Sequence, residues 1–141
     1  MPDIRQIPGS CEQWLSRAKA DLALARTALP EGGVYEDLAF HAQQAAEKAI
    51  KAVYVKMEKR FAYTHDIAEL LSGLDRLSVP LTEEVKEAAD LSTYAWESRY
   101  PYVGDPVTKE EHQEAVRHAE TVIAWAEIQI ESVGSDNETP E

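Results

Sequence analysis

Residues 40–52 read Phe-His-Ala-Gln-Gln-Ala-Ala-Glu-Lys-Ala-Ile-Lys-Ala, an alanine-rich run into which polar groups with chemical reach recur. On a helix, residues three, four and seven apart share a face. Asp37, His41, Gln44 and Lys48 therefore form one polar row, flanked by Ala45 and Ala52, where an ordinary core helix carries a plain apolar stripe. Such a row is either a binding site or a satisfied hydrogen-bond network between helices. The alanines beside it let a partner helix approach closely.

The rest of the chain repeats the helical period and nowhere shows the strict alternation of apolar and polar residues that marks a strand. About five helices are expected. Ser10 and Gln13 form a capping-box pattern that opens a first helix with Trp14, Leu15, Ala18, Leu22 and Ala25 on its apolar face, ended by Pro30 and Gly32-Gly33. A second runs over residues 35–58, with Leu38, Ala42, Ala45, Ala49 and Val53 buried. Thr64 is placed to cap a short third helix through Ile67, Leu70, Leu71 and Leu74. Ser78-Val79-Pro80 breaks the chain, and Thr82 opens a fourth helix carrying Val85, Ala88, Leu91, Tyr94 and Ala95. A loop over residues 98–106 follows. Thr108 with Glu111 caps a fifth helix whose apolar face, Val116, Ala119, Val122, Ile123, Ala126 and Ile130, ends near Ile130. Residues 1–9 read as a flexible lead-in, 10–131 as one domain, and 132–141 as a disordered acidic tail.

With 141 residues and 44% hydrophobic content, one domain has enough apolar surface to bury a core. The net charge of −12 argues against holding nucleic acid on a broad basic surface, because neutralising phosphates needs many clustered cations. Any nucleotide site must be local. Residues 47–60 supply such a locality: Lys48, Lys51, Lys56, Lys59 and Arg60 stand against Glu47 and Glu58. The run either complements the helix C-terminal dipole or marks where an anion docks. Cys11 is the only cysteine, which leaves no disulfide framework and fits a reducing compartment. The first residues lack the apolar core of a signal peptide, and no segment has the ~18 apolar residues of a membrane span. A cytoplasmic protein is expected, with no membrane partner. The scattered histidines suggest no metal site, and Glu31-Gly32-Gly33 lacks the Lys-Ser or Lys-Thr of a phosphate loop, so no cofactor is expected.

Three features occur in order: the residue 40–52 helix, the turn Tyr63-Thr64-His65-Asp66, and Tyr94 followed by Ser98-Arg99-Tyr100-Pro101-Tyr102. Together with Trp14, Ala18, Asp21 and Leu22 in the leading helix and Phe61 before the turn, they resemble the HEPN family over roughly residues 14–130. The resemblance implies an up-and-down bundle of four long helices plus a short one, commonly a homodimer with a cleft facing RNA or nucleotide. For many members it also implies a minimal nucleotidyltransferase partner and, for some, ribonuclease toxicity in a toxin–antitoxin pair. The ribonuclease branch carries an Arg followed after about four to six residues by a His. Arg99 has no His before His112 and so departs from that motif, whereas Arg60 and His65 fit its spacing ahead of the third helix.

Metal-independent RNA cleavage needs a group to take the 2′-hydroxyl proton and a cation to steady the phosphorane. His65 and Arg99 are the candidates for those roles. His41, Gln44, Lys48, Asp66, Tyr100 and Tyr102 are the candidate ligand contacts, the tyrosines offering faces that stack on a base. The structural alternatives are a capping role for His65, core hydrogen bonding for His41 through Gln44 and Lys48, and an interface role for Arg99. The first reading is a non-enzymatic module that binds nucleotide or RNA. A ribonuclease toxin is the alternative, and a structural helical adaptor the third.

Overall fold

In the computed structural model, residues 9–95 and 105–138 are described, and α1 (Cys11–Ala25) opens as its capping residues dictate. Ser10 Oγ accepts from Gln13 N at 3.1 Å, and Gln13 Oε1 accepts from Ser10 N at 2.8 Å, so two otherwise orphaned amides are satisfied at once. α2 (Tyr35–Lys56) follows and buries Ala39, Ala42, Ala45, Ala46, Ala49, Ile50 and Val53. Trp14, near the start of α1, meets Phe61, just beyond the end of α2, so the two helices run antiparallel. Against the alanine face of α2, α1 sets Leu22 between Ala18 and Ala25, and the alanines on both helices let the backbones approach closely.

α3 (Ile67–Arg76) is the short additional helix. Two hydrogen bonds tie it to its neighbours: Ile67 N donates to Ser92 Oγ at 2.8 Å, and the Tyr54 hydroxyl donates to Leu70 O at 2.6 Å. α4 (Glu83–Glu87) then continues as a 3-10 segment over Ala88–Tyr94. α5 (Lys109–Glu138) is the last leg. Tyr35 at the start of α2 stacks on His112 near the start of α5, so these two run the same way, while Arg26 with Glu120 and Lys19 with Glu127 pair in antiparallel order. The Trp125 indole donates to Pro80 O ahead of α4, whereas Leu91 and Tyr94 face Ala115 and His118. The α4 leg is therefore antiparallel to α5. The architecture is all-α, four legs up and down with α3 added, as expected, and the described residues contain no strand.

Three local expectations are corrected. The cap of α3 is Asp66, not Thr64: its carboxylate accepts from Ala68 N and Glu69 N, while Thr64 Oγ takes the amide of Asp66 itself. The fourth helix is α-helical only to Glu87, because Asp90, Ser92 and Thr93 offer the backbone local alternatives and Ser92 is committed to Ile67. The tail expected to be disordered from Ser132 instead continues α5 to Glu138, since no proline interrupts the backbone ladder before Pro140. α2 and α3 both close with a residue in the left-handed region, Glu58 (φ 59°) and Ser78 (φ 70°). Each is followed by an amide that reaches back to an orphan carbonyl, Lys59 N to Tyr54 O and Val79 N to Leu74 O.

Candidate functional site

Two buried carboxylates, Asp21 of α1 and Glu47 of α2 itself, organise the polar groups along α2. Asp21 sits in the apolar stripe of α1, three residues after Ala18, and is only 8% exposed. Because α1 and α2 are close, its carboxylate spans two turns of α2. Oδ1 lies 3.0 Å from His41 Nδ1, and Oδ2 accepts from Lys48 Nζ at 2.6 Å. Glu47, 3% exposed, is the centre of the second cluster. Its Oε1 accepts from Gln43 Nε2 at 2.8 Å and faces His65 Nδ1 at 2.9 Å, and its Oε2 accepts from Lys51 Nζ at 2.6 Å. Gln44 joins by donating to Gln43 Oε1 at 2.8 Å. An ionised carboxylate only accepts, so each imidazole carries its proton on Nδ1 and directs Nε2 away from its carboxylate.

Burial pushes the Glu47 carboxyl up, but hydrogen bonds from Lys51 and His65, the Lys51 charge and the Gln43 amide outweigh it, and the group titrates below its ordinary value. Each cluster thus pairs one buried anion with one lysine and one histidine. With neutral imidazoles neither carries net charge. Lys51 also lies 5.0 Å over the Phe61 ring, which makes T-shaped contacts with Trp14 and Tyr54. The aromatic group anchors the 57–66 connection, and that connection delivers His65 to α2.

The row is consequently a satisfied network with an accessible edge. His41, Lys48 and His65 keep 32%, 24% and 45% of their side-chain surface in solvent while their inner atoms are committed. Asp37 is exposed, and the carboxylate that pairs with His41 and Lys48 is Asp21 of α1. Asp66 acts as the α3 cap. Arg99, Tyr100 and Tyr102 lie outside the described residues. His112 is elsewhere, with Nε2 2.6 Å from Ala25 O at the end of α1, and His118 lies 3.3 Å from Glu114. Among the described residues no group of three His, Cys, Asp or Glu side chains is placed to hold a metal. Nor is any helix there long and apolar enough to cross a membrane.

Residue pattern alone does not single out Asp21 or Glu47 as a functional position. The available signal is an acid inside an apolar stripe: Asp21 between Ala18 and Leu22, and Glu47 between Ala46 and Ala49.

The HEPN domain family matches residues 11–129, from the first residue of α1 through most of α5. The chain belongs to the HEPN family. Both carboxylate clusters fall inside the HEPN match. Two solved structures are similar to this HEPN chain. TT1696 from Thermus thermophilus is 32% identical over 84% of this chain and 97% of its own, with a TM-score of 0.73. ST0689, an archaeal HEPN homologue, is 30% identical over 87% of this chain and 99% of its own, with a TM-score of 0.69. No curated protein sequence matches.

Proposed function

We propose that this HEPN chain is a non-enzymatic module that binds nucleotide or RNA along the α1–α2 face, acts as a homodimer, and pairs with a minimal nucleotidyltransferase. The observation that carries the reading is that His41 and Lys48 on α2, and His65 on the connection that follows it, each keep a solvent edge while a buried carboxylate holds them. On a chain with net charge −12, a polyanion needs a local, pre-positioned donor, which Lys48 supplies with the N–H groups that Asp21 does not take and the two imidazoles add at Nε2 when protonated. Lysines fixed by a buried counter-ion lose little side-chain freedom on meeting a phosphate. The closely packed α1–α2 pair supplies a rigid platform for it.

A second reading is favoured by one specific arrangement. His65, with Nδ1 on Glu47 and Nε2 directed away from that carboxylate, is oriented as a general base is oriented by an acid partner. That geometry suits a metal-independent ribonuclease. Incubating a mixed-sequence RNA pool with the protein in EDTA, and resolving bound from unbound and full-length from shortened RNA, separates the two. Binding of full-length RNA is expected; shortening that vanishes in His65→Ala would make the protein a ribonuclease, and neither binding nor cleavage would leave a structural adaptor. Sedimentation tests the dimer, for which a monomer at high micromolar concentration is the contrary result.

A further inference from the structure

Beside the row, an open cleft of about 520 Å³ runs along α1 and is bordered by one residue of α2; Gly9, Gln13, Trp14, Ser16, Arg17 and Lys48 line it. Its size lies within the range of small-molecule sites, about 300–1,000 Å³. We infer that this cleft receives one nucleoside-phosphate unit, its base against Trp14 and its phosphate between Arg17 and Lys48; the inference rests on the nucleotide-binding reading and gives that reading a pocket.

Each wall of the cleft contributes one part of the recognition. Trp14 and Arg17 are three apart on α1 and share a face, so an aromatic surface and a cation stand side by side. The T-shaped contact with Phe61, centroids 5.7 Å apart, fixes the indole so that a stacking base meets a pre-set ring. Lys48 faces them from α2. Its ammonium has three donors, of which Asp21 takes one at 2.6 Å, and Asp21 is shared with His41. The lysine is thereby aimed without being used up. Gln13 commits Oε1 to the Ser10 amide, which leaves its Nε2 group to donate to a base carbonyl or ring nitrogen. A purely apolar ligand would strand two cations in its contact surface, and an inorganic anion would make no use of the indole face. A base joined to a phosphate uses both.

The unit can be a free mononucleotide or one residue of a single strand, and the probes distinguish them. A 3′-labelled single-stranded octa-adenylate is titrated by anisotropy into wild type, Arg17→Glu, Trp14→Phe and Trp14→Ala, with and without AMP as competitor. Loss of one base–aromatic stack is expected to weaken binding about tenfold in Trp14→Ala. Arg17→Glu is expected to weaken it at least as much, and because Arg17 is exposed its fold is retained. Competition by AMP assigns free nucleotide, and its absence with the same dependence on Trp14 and Arg17 assigns a unit within a strand; either supports the cleft. Octa-adenylate bound equally by wild type and by thermally intact Arg17→Glu and Trp14→Phe overturns the cleft while leaving the RNA-binding reading in place. Failure of the wild type to bind either probe overturns both.

Discussion

Glu47→Leu removes the buried anion on which four side chains converge, and its cost can be worked from those partners. Lys51 is 8% exposed and would be left without its 2.6 Å counter-ion; the Nε2 group of the fully buried Gln43 would be left donating only to His65 O, at the longer distance of 3.3 Å. Removing one member of a buried pair costs about 3–5 kcal/mol, because the surviving charge stays desolvated. For a domain of this length that corresponds to a fall in Tm of about 10–17 °C. Glu47→Leu/Lys51→Met removes both charges at similar volume and is expected to recover at least half of the loss. The pH dependence has a definite sign. The folded Glu47 carboxyl titrates below its ordinary 4.5, so its contribution is full above that value and is lost as pH falls through the lower folded value. Thermal melts between pH 3 and 7 should show wild type and Glu47→Leu converging only at the acidic end. A loss under about 1 kcal/mol at pH 7, or a double variant no more stable than the single, would show that the Lys51 charge is not left stranded.

Three further outcomes are expected from urea unfolding. Asp66→Ala should lose about 1 kcal/mol with the cap of α3, whereas Asp66→Asn should stay near wild type. Gly73→Ala places a Cβ against the Tyr54 hydroxyl, which bonds Leu70 O, and should cost about 1–3 kcal/mol; the same change in a Tyr54→Phe background should cost less. Ser78→Gly should stabilise by about 0.5–1 kcal/mol, because a left-handed L-residue costs roughly 1–2 kcal/mol and glycine's extra unfolded-state freedom returns only part of that.

Periodicity carries the architecture: the alanine stripe of α2 and the apolar face of α5 are visible as helical repeats, and Ser10 with Gln13 announces the start of α1 correctly. The cap of α3 is ambiguous in sequence because Thr64 and Asp66 both favour that role, and only the backbone path decides which oxygen meets the amides of Ala68 and Glu69. The 3-10 stretch is hidden for a related reason, since its apolar residues fit a helical face while the bond that Ser92 Oγ accepts from Ile67 N joins residues 25 apart and leaves no periodic trace. At the site, His41, Gln44 and Lys48 are legible from spacing along one helix. Their anchors are not equally so. Asp21 lies 20 residues from His41 and 27 from Lys48, and His65 lies 18 from Glu47, so these pairs exist only once the helices pack. Asp37, chosen for its register, is exposed, and the buried carboxylate of the row comes from α1 instead.

Backbone amide shifts of 15N-labelled protein titrated with single-stranded RNA report whether the α1–α2 face holds the ligand. Shifts concentrated in residues 13–21, 41–51 and 64–66 are the predicted result. Shifts confined to α5, or no shift at saturating RNA, would contradict it.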